Sequence, residues 1–143
     1  MDLDACIFCT IFRRESPASW IYEDERVGVI LTIEPVNAGH ALVIPKVHAR
    51  RLADLSEVDG QYMFTVAQRT AAALCASGLR CEGVNLFLAD GVAAFQSVHH
   101  VHLHVFPRFK GDPFKIDADW HVNPARDELD AHASRIREAF GAA

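Results

Sequence analysis

Gln96-Ser97-Val98-His99-His100-Val101-His102-Leu103-His104-Val105-Phe106-Pro107-Arg108 places four of the chain's eight histidines between positions 99 and 104. Their spacing says more than their number. Successive side chains of a β-strand point to opposite faces. A strand over 98–106 therefore puts His100, His102 and His104 on one face and Val101, Leu103 and Val105 on the other. Rings on that face sit about 6.6 Å apart along the backbone, near enough to converge on one small anion or metal. A purely structural strand rarely places three ionisable rings on one face, because each needs a hydrogen-bond partner once buried.

Outward from this strand the pattern is mixed. Short β-rich runs at 19–22 and 27–33 flank the polar turn Glu23-Asp24-Glu25-Arg26 and predict a hairpin. A strand over 40–44 follows, stopped by Pro45. Ser56 with Asp59 reads as a helix start; Met63, Val66, Ala67, Thr70 and Leu74 recur at helical spacing, and Gly78 supplies the stop. A strand over 84–88, the turn Asp90-Gly91 and the histidine strand come next. Asn123 with Pro124 caps a last helix carrying Leu129, Ala133, Ile136 and Phe140. Strands grouped around one helix through hairpin-length connections predict an antiparallel α+β fold.

Length and charge narrow the class. The 143 residues fit a single domain, 1–143, with room for a real core. Net charge is −5 with no Lys/Arg run, which argues against a nucleic-acid backbone as partner. Met1-Asp2-Leu3-Asp4 lacks the layout of a signal peptide, and no apolar run approaches a membrane span. Four cysteines in that context predict free or metal-bound thiols in a reducing, cytoplasmic setting.

Cys6-Ile7-Phe8-Cys9 has the spacing that lets two thiolates grip one tetrahedral metal, and equally that of two small buried residues. His48 and one of His99 or His100 are the available nitrogens. Cys75 reads as core and Cys81 as chemically idle. Gln96 and Ser97 offer hydrogen bonds to phosphate oxygens or serve as turn polars. His40 opens a strand beside Asn37-Ala38-Gly39, His121 and His132 read as surface, and the charges from Arg126 to Glu138 form a solvated helix face.

These residues together resemble the histidine triad (HIT) family, whose signature His-φ-His-φ-His-φ-φ is matched by His100-Val101-His102-Leu103-His104-Val105-Phe106. Gln96-Ser97-Val98, the block from Gly39 to His48, Cys6-Ile7-Phe8-Cys9, Tyr22-Glu23-Asp24-Glu25 and Pro107-Arg108 fit as well. The match runs from about Cys6 to Arg108, and no motif covers residues 111–143. The resemblance implies a five-stranded antiparallel sheet, doubled in a homodimer. It implies attack by His102 at the α-phosphorus of a nucleoside monophosphate derivative, giving a nucleotidyl-histidine that water resolves. His100, His104 and a fourth histidine, His40, assist. Ile7, Phe8, Ile11, Ile30 and Ile33 match positions that sandwich the base.

Cys6, Cys9, His48 and His100 match the ligands of zinc-carrying branches, which implies structural Zn²⁺ and no organic cofactor. Thr32 stands where many members have an aspartate for the ribose, Ala89 where asparagine is common, and Phe95 where a glycine precedes Gln96. The leading expectation is a nucleotide hydrolase or transferase. The altered Thr32, Ala89 and Phe95 motivate an alternative, a nucleotide-binding or scaffolding module with little turnover. A third reading, a metalloenzyme with His100, His102 and His104 as ligands in the manner of cupin-like barrels, lacks a carboxylate partner.

Overall fold

A computed structural model describes residues 6–118 and 120–141. They fall into two compact units, one ending at Pro113 and the other starting at Phe114. In the first, α1 (Ile7–Phe12), β1 (Trp20–Glu23), β2 (Val27–Leu31), β3 (Ala41–Pro45), α2 (Glu57–Ala76), β4 (Gly83–Phe87) and β5 (Leu103–Arg108) follow in order. Every strand pair is antiparallel, and the sheet order is β1-β2-β3-β5-β4. This is the expected α+β architecture.

Alternation along the strands builds two faces. Val27, Val29, Ala41, Val43, Leu103 and Val105 pack with Met63, Val66, Ala67 and Leu74 of α2. Each buried valine of that set contributes roughly 1.5 kcal/mol or more. Ile30, Leu42 and Ile44 face the other way and close over Phe8 and Ile11 of α1. His104 pairs with Leu42 across β3 and β5, so it belongs to this second face. Ser56 caps α2 by accepting the Asp59 N–H at 3.1 Å, the helix start read from the sequence.

Several boundaries differ from expectation. Pro45 is the last residue of β3, paired with Val27, because a strand end tolerates a missing N–H. β2 stops at Leu31 rather than 33. The histidine strand begins at Leu103, not 98; residues 98–100 bend, and the Val101 N–H reaches back to the Ala49 carbonyl at 2.7 Å. Six-residue α1 is too short to leave a periodic signal and was not foreseen. In the second unit α3 (Arg126–Phe140) is capped by Ala125, two residues beyond the expected Asn123-Pro124, and Leu129, Ile136 and Phe140 on it are exposed.

The cysteine reading also needs correction. Cys75 and Cys81 are not a core thiol and an idle one; they form a disulfide between the end of α2 and the chain entering β4. Cys75 follows buried Leu74, and one step of about 100° along a helix turns it outward. Cys6 and Cys9 remain free. Thiol titration in denaturant is expected to find two free cysteines without reductant and four with it. Closing a loop of sequence separation 6 stabilises by about 2 kcal/mol, so reduction should lower the urea midpoint accordingly.

Candidate active site and metal-binding cluster

His100 is wholly enclosed, at 0% exposure. Its Nε2–H donates to the Pro45 carbonyl at 2.8 Å, which leaves Nδ1 as a bare lone pair. That lone pair lies 3.5 Å from the Cys6 sulfur and 3.7 Å from that of Cys9. His48 Nδ1 lies 3.4 Å from Cys9 Sγ, and the four ligand atoms fall within 4.8 Å of one another. A tetrahedral zinc with ordinary Zn–S and Zn–N bonds has S···N edges of about 3.5 Å. The three S···N separations of 3.4, 3.5 and 3.7 Å match that edge, and the widest pair at 4.8 Å would draw in around a bound ion. A carbonyl on the far ring nitrogen is also the usual way a ligating imidazole is oriented. Of His99 and His100, only the second faces the sulfurs, while His99 is exposed.

Local folding makes this cluster. Cys6, in extended conformation, caps the start of α1 and Cys9 sits in its first turn, so the x₂ spacing brings both sulfurs to one end of the helix. Burial, and then the neighbouring Cys6 thiol, push the Cys9 thiol up to about 11. A divalent cation reverses that preference by holding the thiolate.

His102 is 4% exposed. Its Nδ1–H donates to the His100 carbonyl at 2.7 Å, so Nε2 carries the lone pair. The Phe8 ring meets it edge-on with centroids 5.1 Å apart, and the His104 ring is 4.9 Å away. His40 accepts the Val36 N–H on Nδ1 at 3.1 Å and turns Nε2 to His104 Nδ1 at 2.9 Å. A neutral His40 therefore donates from Nε2, and a neutral His104 keeps its proton on Nε2. The three triad rings do not share one target as the strand reading expects. His100 serves the cysteine pair, while His102 and His104 form a second centre with His40.

The expected nucleoside contacts divide. Phe8 touches both His100 and His102 and packs with Ile11 and Ile30 in one buried cluster. Ile7 is half exposed, and Ile33 is 96% exposed, outside any packed group. Thr32 lies beside the fourth histidine, its N–H donating to the His40 carbonyl at 3.0 Å. Ala89 is buried and Ser97 exposed. Gln96 is buried with both amide ends engaged: Oε1 accepts the Gly91 N–H and Nε2 donates to the Arg50 carbonyl, each at 2.8 Å. Phe95, 85% exposed, adopts the left-handed conformation at φ 67°, where glycine is favoured.

Nothing in the residue pattern pointed to the Pro45 carbonyl, the Val36 N–H or the Asn37 side chain as partners, because backbone groups and turn amides carry no pattern. Phe87, paired with His104 across β4 and β5 and 5.9 Å from its ring, was legible only through that register.

The HIT domain family model matches residues 13–111. The chain belongs to the HIT family. An uncharacterized HIT-like protein of Mycobacterium tuberculosis is 42% identical over 111 residues, 78% of this chain and 76% of that one. Two relatives bear names for activities. An adenylylsulfatase of Arabidopsis thaliana is 36% identical over 75% of this chain and 54% of its own length. An adenosine 5'-monophosphoramidase of Saccharomyces cerevisiae is 35% identical over 73% and 63%. The crystal structure of a HIT family protein from Bacillus anthracis matches with TM-score 0.88 and 37% identity, covering 95% of this chain and 97% of that one. A zinc-bound histidine triad family protein from Mycobacterium smegmatis matches with TM-score 0.75 and 41% identity, over 95% and 98%.

The HIT histidines are tuned to stay neutral. Burial lowers His40 and His102, and burial with the neighbouring His102 and His40 brings His104 down to about 4. The unfolded chain takes up those protons near 6.5, so the stability they confer is complete above that pH and lost as pH falls toward 4. The Arg108 guanidinium holds Asp112 well below the carboxylate range, and the Tyr62 and Tyr22 hydroxyls hold Asp24 there against the cost of burial. Their contributions fade only at lower pH. Urea midpoints measured from pH 7.5 downward are expected to fall between 6.5 and 4; a flat profile across that window would contradict neutral buried rings.

Proposed function

We propose that this HIT protein is a nucleotide hydrolase that cleaves nucleoside monophosphate derivatives at the α-phosphorus through a covalent intermediate on His102. One observation carries the reading: the 2.7 Å bond from His102 Nδ1–H to the His100 carbonyl, which fixes the ring with its Nε2 lone pair free. That nitrogen attacks phosphorus, and the bond to the leaving group breaks with its electron pair. A sulfate departs as the anion; an amine takes a proton from solvent. Water then attacks phosphorus, gives its proton to solvent, and expels the neutral imidazole. Splitting one displacement in two lowers each barrier. His104 Nε2–H donates to the phosphoryl oxygen where charge builds up. The relatives named for adenylyl sulfate and adenosine phosphoramidate chemistry support this substrate class.

Cys6, Cys9, His48 and His100 would hold the zinc ion, whose role there is structural: it ties α1 to the segment before β5. The same protein is proposed to dimerise through β4, one of the sheet's two edge strands, where Leu86 and Phe87 are 39% and 44% exposed. A binding module with little turnover is the second reading. Gln96 favours it, since its carbonyl oxygen and one amide N–H are engaged by the loop, leaving a single N–H for phosphate.

Adenosine 5'-phosphoramidate and adenylyl sulfate serve as assay substrates. His102→Gly is expected to lower kcat by at least a thousandfold, and acid quench of the native reaction to trap labelled nucleotide on the protein. Native turnover in the variant would remove the nucleophile from this position, and AMP binding without hydrolysis by the native protein would favour the module. Elemental analysis is expected to find about one zinc per chain, lost in Cys9→Ser together with several degrees of Tm.

A further inference from the structure

The mechanism above uses His104 as a hydrogen-bond donor, and a neutral imidazole donates from only one nitrogen. What decides which one lies outside the histidines. The 35–39 turn presents the Val36 N–H to His40 Nδ1, and the Asn37 carbonyl accepts the His40 N–H at 3.1 Å. Asn37 itself is 7% exposed. Its side-chain amide donates twice, to the Pro107 carbonyl at 2.8 Å and to Asp112 Oδ2 at 2.9 Å. Pro107 lies near the end of β5, the strand that carries His104, and Asp112 in the turn that follows it. Asp112 is gripped in turn by Arg108 Nε and Nη2 at 2.5 and 2.8 Å, and by the Phe109 N–H at 3.2 Å. The turn is tight as well: Gly39 takes φ 94°, and a Cβ there would meet Leu74 and Leu79 at under 3 Å.

We propose that Asn37 is a positioning residue for the triad: by pinning the 35–39 turn to the end of β5, it keeps the Val36 N–H on His40 Nδ1 and so fixes His104 with Nδ1 as acceptor and Nε2–H as donor. The order of transfer is a chain of single hydrogen bonds. Val36 N–H fills His40 Nδ1, His40 Nε2–H fills His104 Nδ1, and His104 Nε2–H is left for substrate. No proton moves along it. Because Asn37 uses both amide hydrogens, no smaller side chain reproduces the clamp. Its catalytic consequence rests on the reading of His104 as the phosphoryl-oxygen donor; the tautomer itself does not.

Long-range ¹H–¹⁵N correlation spectra at pH 7.5 report the protonated nitrogen of each ring, with His40→Ala and His104→Ala supplying assignments. The native protein is expected to show His40 and His104 wholly as Nε2–H tautomers. Asn37→Ala is expected to give a mixture at His104, with kcat about tenfold lower and KM within twofold, the loss of one well-placed hydrogen bond. In a His40→Ala background, Asn37→Ala should lower kcat no further, because both act through one chain. If Asn37→Ala does not fold, Asn37→Ser is measured in its place. A native His104 protonated on Nδ1, an unchanged tautomer in the Asn37 variant, or losses that multiply in the double variant would each overturn the proposal. Should His102→Gly retain activity while these spectra hold, the fault lies with the nucleophile and not with the clamp.

Discussion

A fully buried imidazole has two nitrogens to satisfy, and at His100 that requirement organises the site. Leaving either unpaired costs on the order of 1–3 kcal/mol. Nε2–H is met by the Pro45 carbonyl at the end of β3, and Nδ1 by the Cys6 and Cys9 sulfurs of α1. One ring therefore joins the third strand, the first helix and the segment entering β5. Its own carbonyl then receives the His102 Nδ1–H. Placement of the central ring follows from placement of the first.

The same logic runs through the cluster. In each of His100, His102 and His40, one ring nitrogen is committed to a backbone group: a carbonyl at Pro45, a carbonyl at His100, an N–H at Val36. Backbone partners cannot titrate or swing away, so each ring is left with one defined free nitrogen. Burial holds the rings neutral, and His104 needs a pH near 4 before it charges. The consequence is a pair with opposite character: His102 exposes a lone pair and His104 an N–H. Like-charged imidazolium rings 4.9 Å apart would lose that division.

How much of this was legible in the sequence depends on whether a residue acts through its type or through its neighbours. Apolar period alone picked the α2 face, since Met63, Val66, Ala67, Thr70 and Leu74 are its buried residues. The triad, His40 and the Cys6/Cys9/His48/His100 cluster stood out through the family resemblance, and the structure brings the two groups together as clusters. The even spacing of the triad misled in one respect. It predicts three rings on one strand face, whereas a bend at 98–100 frees His100 to turn toward α1. Main-chain partners such as Pro45 and Val36 left no trace, because a carbonyl or N–H is the same at every residue. The Cys75–Cys81 bond was hidden by a boundary: only the end of α2 brings Cys75 round to face Cys81.

In the reaction proposed above, charge recognition rests on neutral donors. Arg51, whose guanidinium lies against Gly91 in the loop leading to the triad, is paired with Asp90 at 3.0 Å, and Arg108 is committed to Asp112 and Asn85. A lone cation fixed beside phosphorus would bind substrate and product alike, lowering KM without raising kcat. An N–H held in place gains most when charge accumulates on the phosphoryl oxygen during attack, and its dipole is already oriented when that happens. In that proposal, Thr32 in place of a carboxylate and Ala89 in place of an amide leave still more of the task to the rings. Under the proposed reaction, selectivity falls on the phosphorus centre and its leaving group rather than on the sugar, which accords with a chain whose loop engages Gln96 with its own backbone.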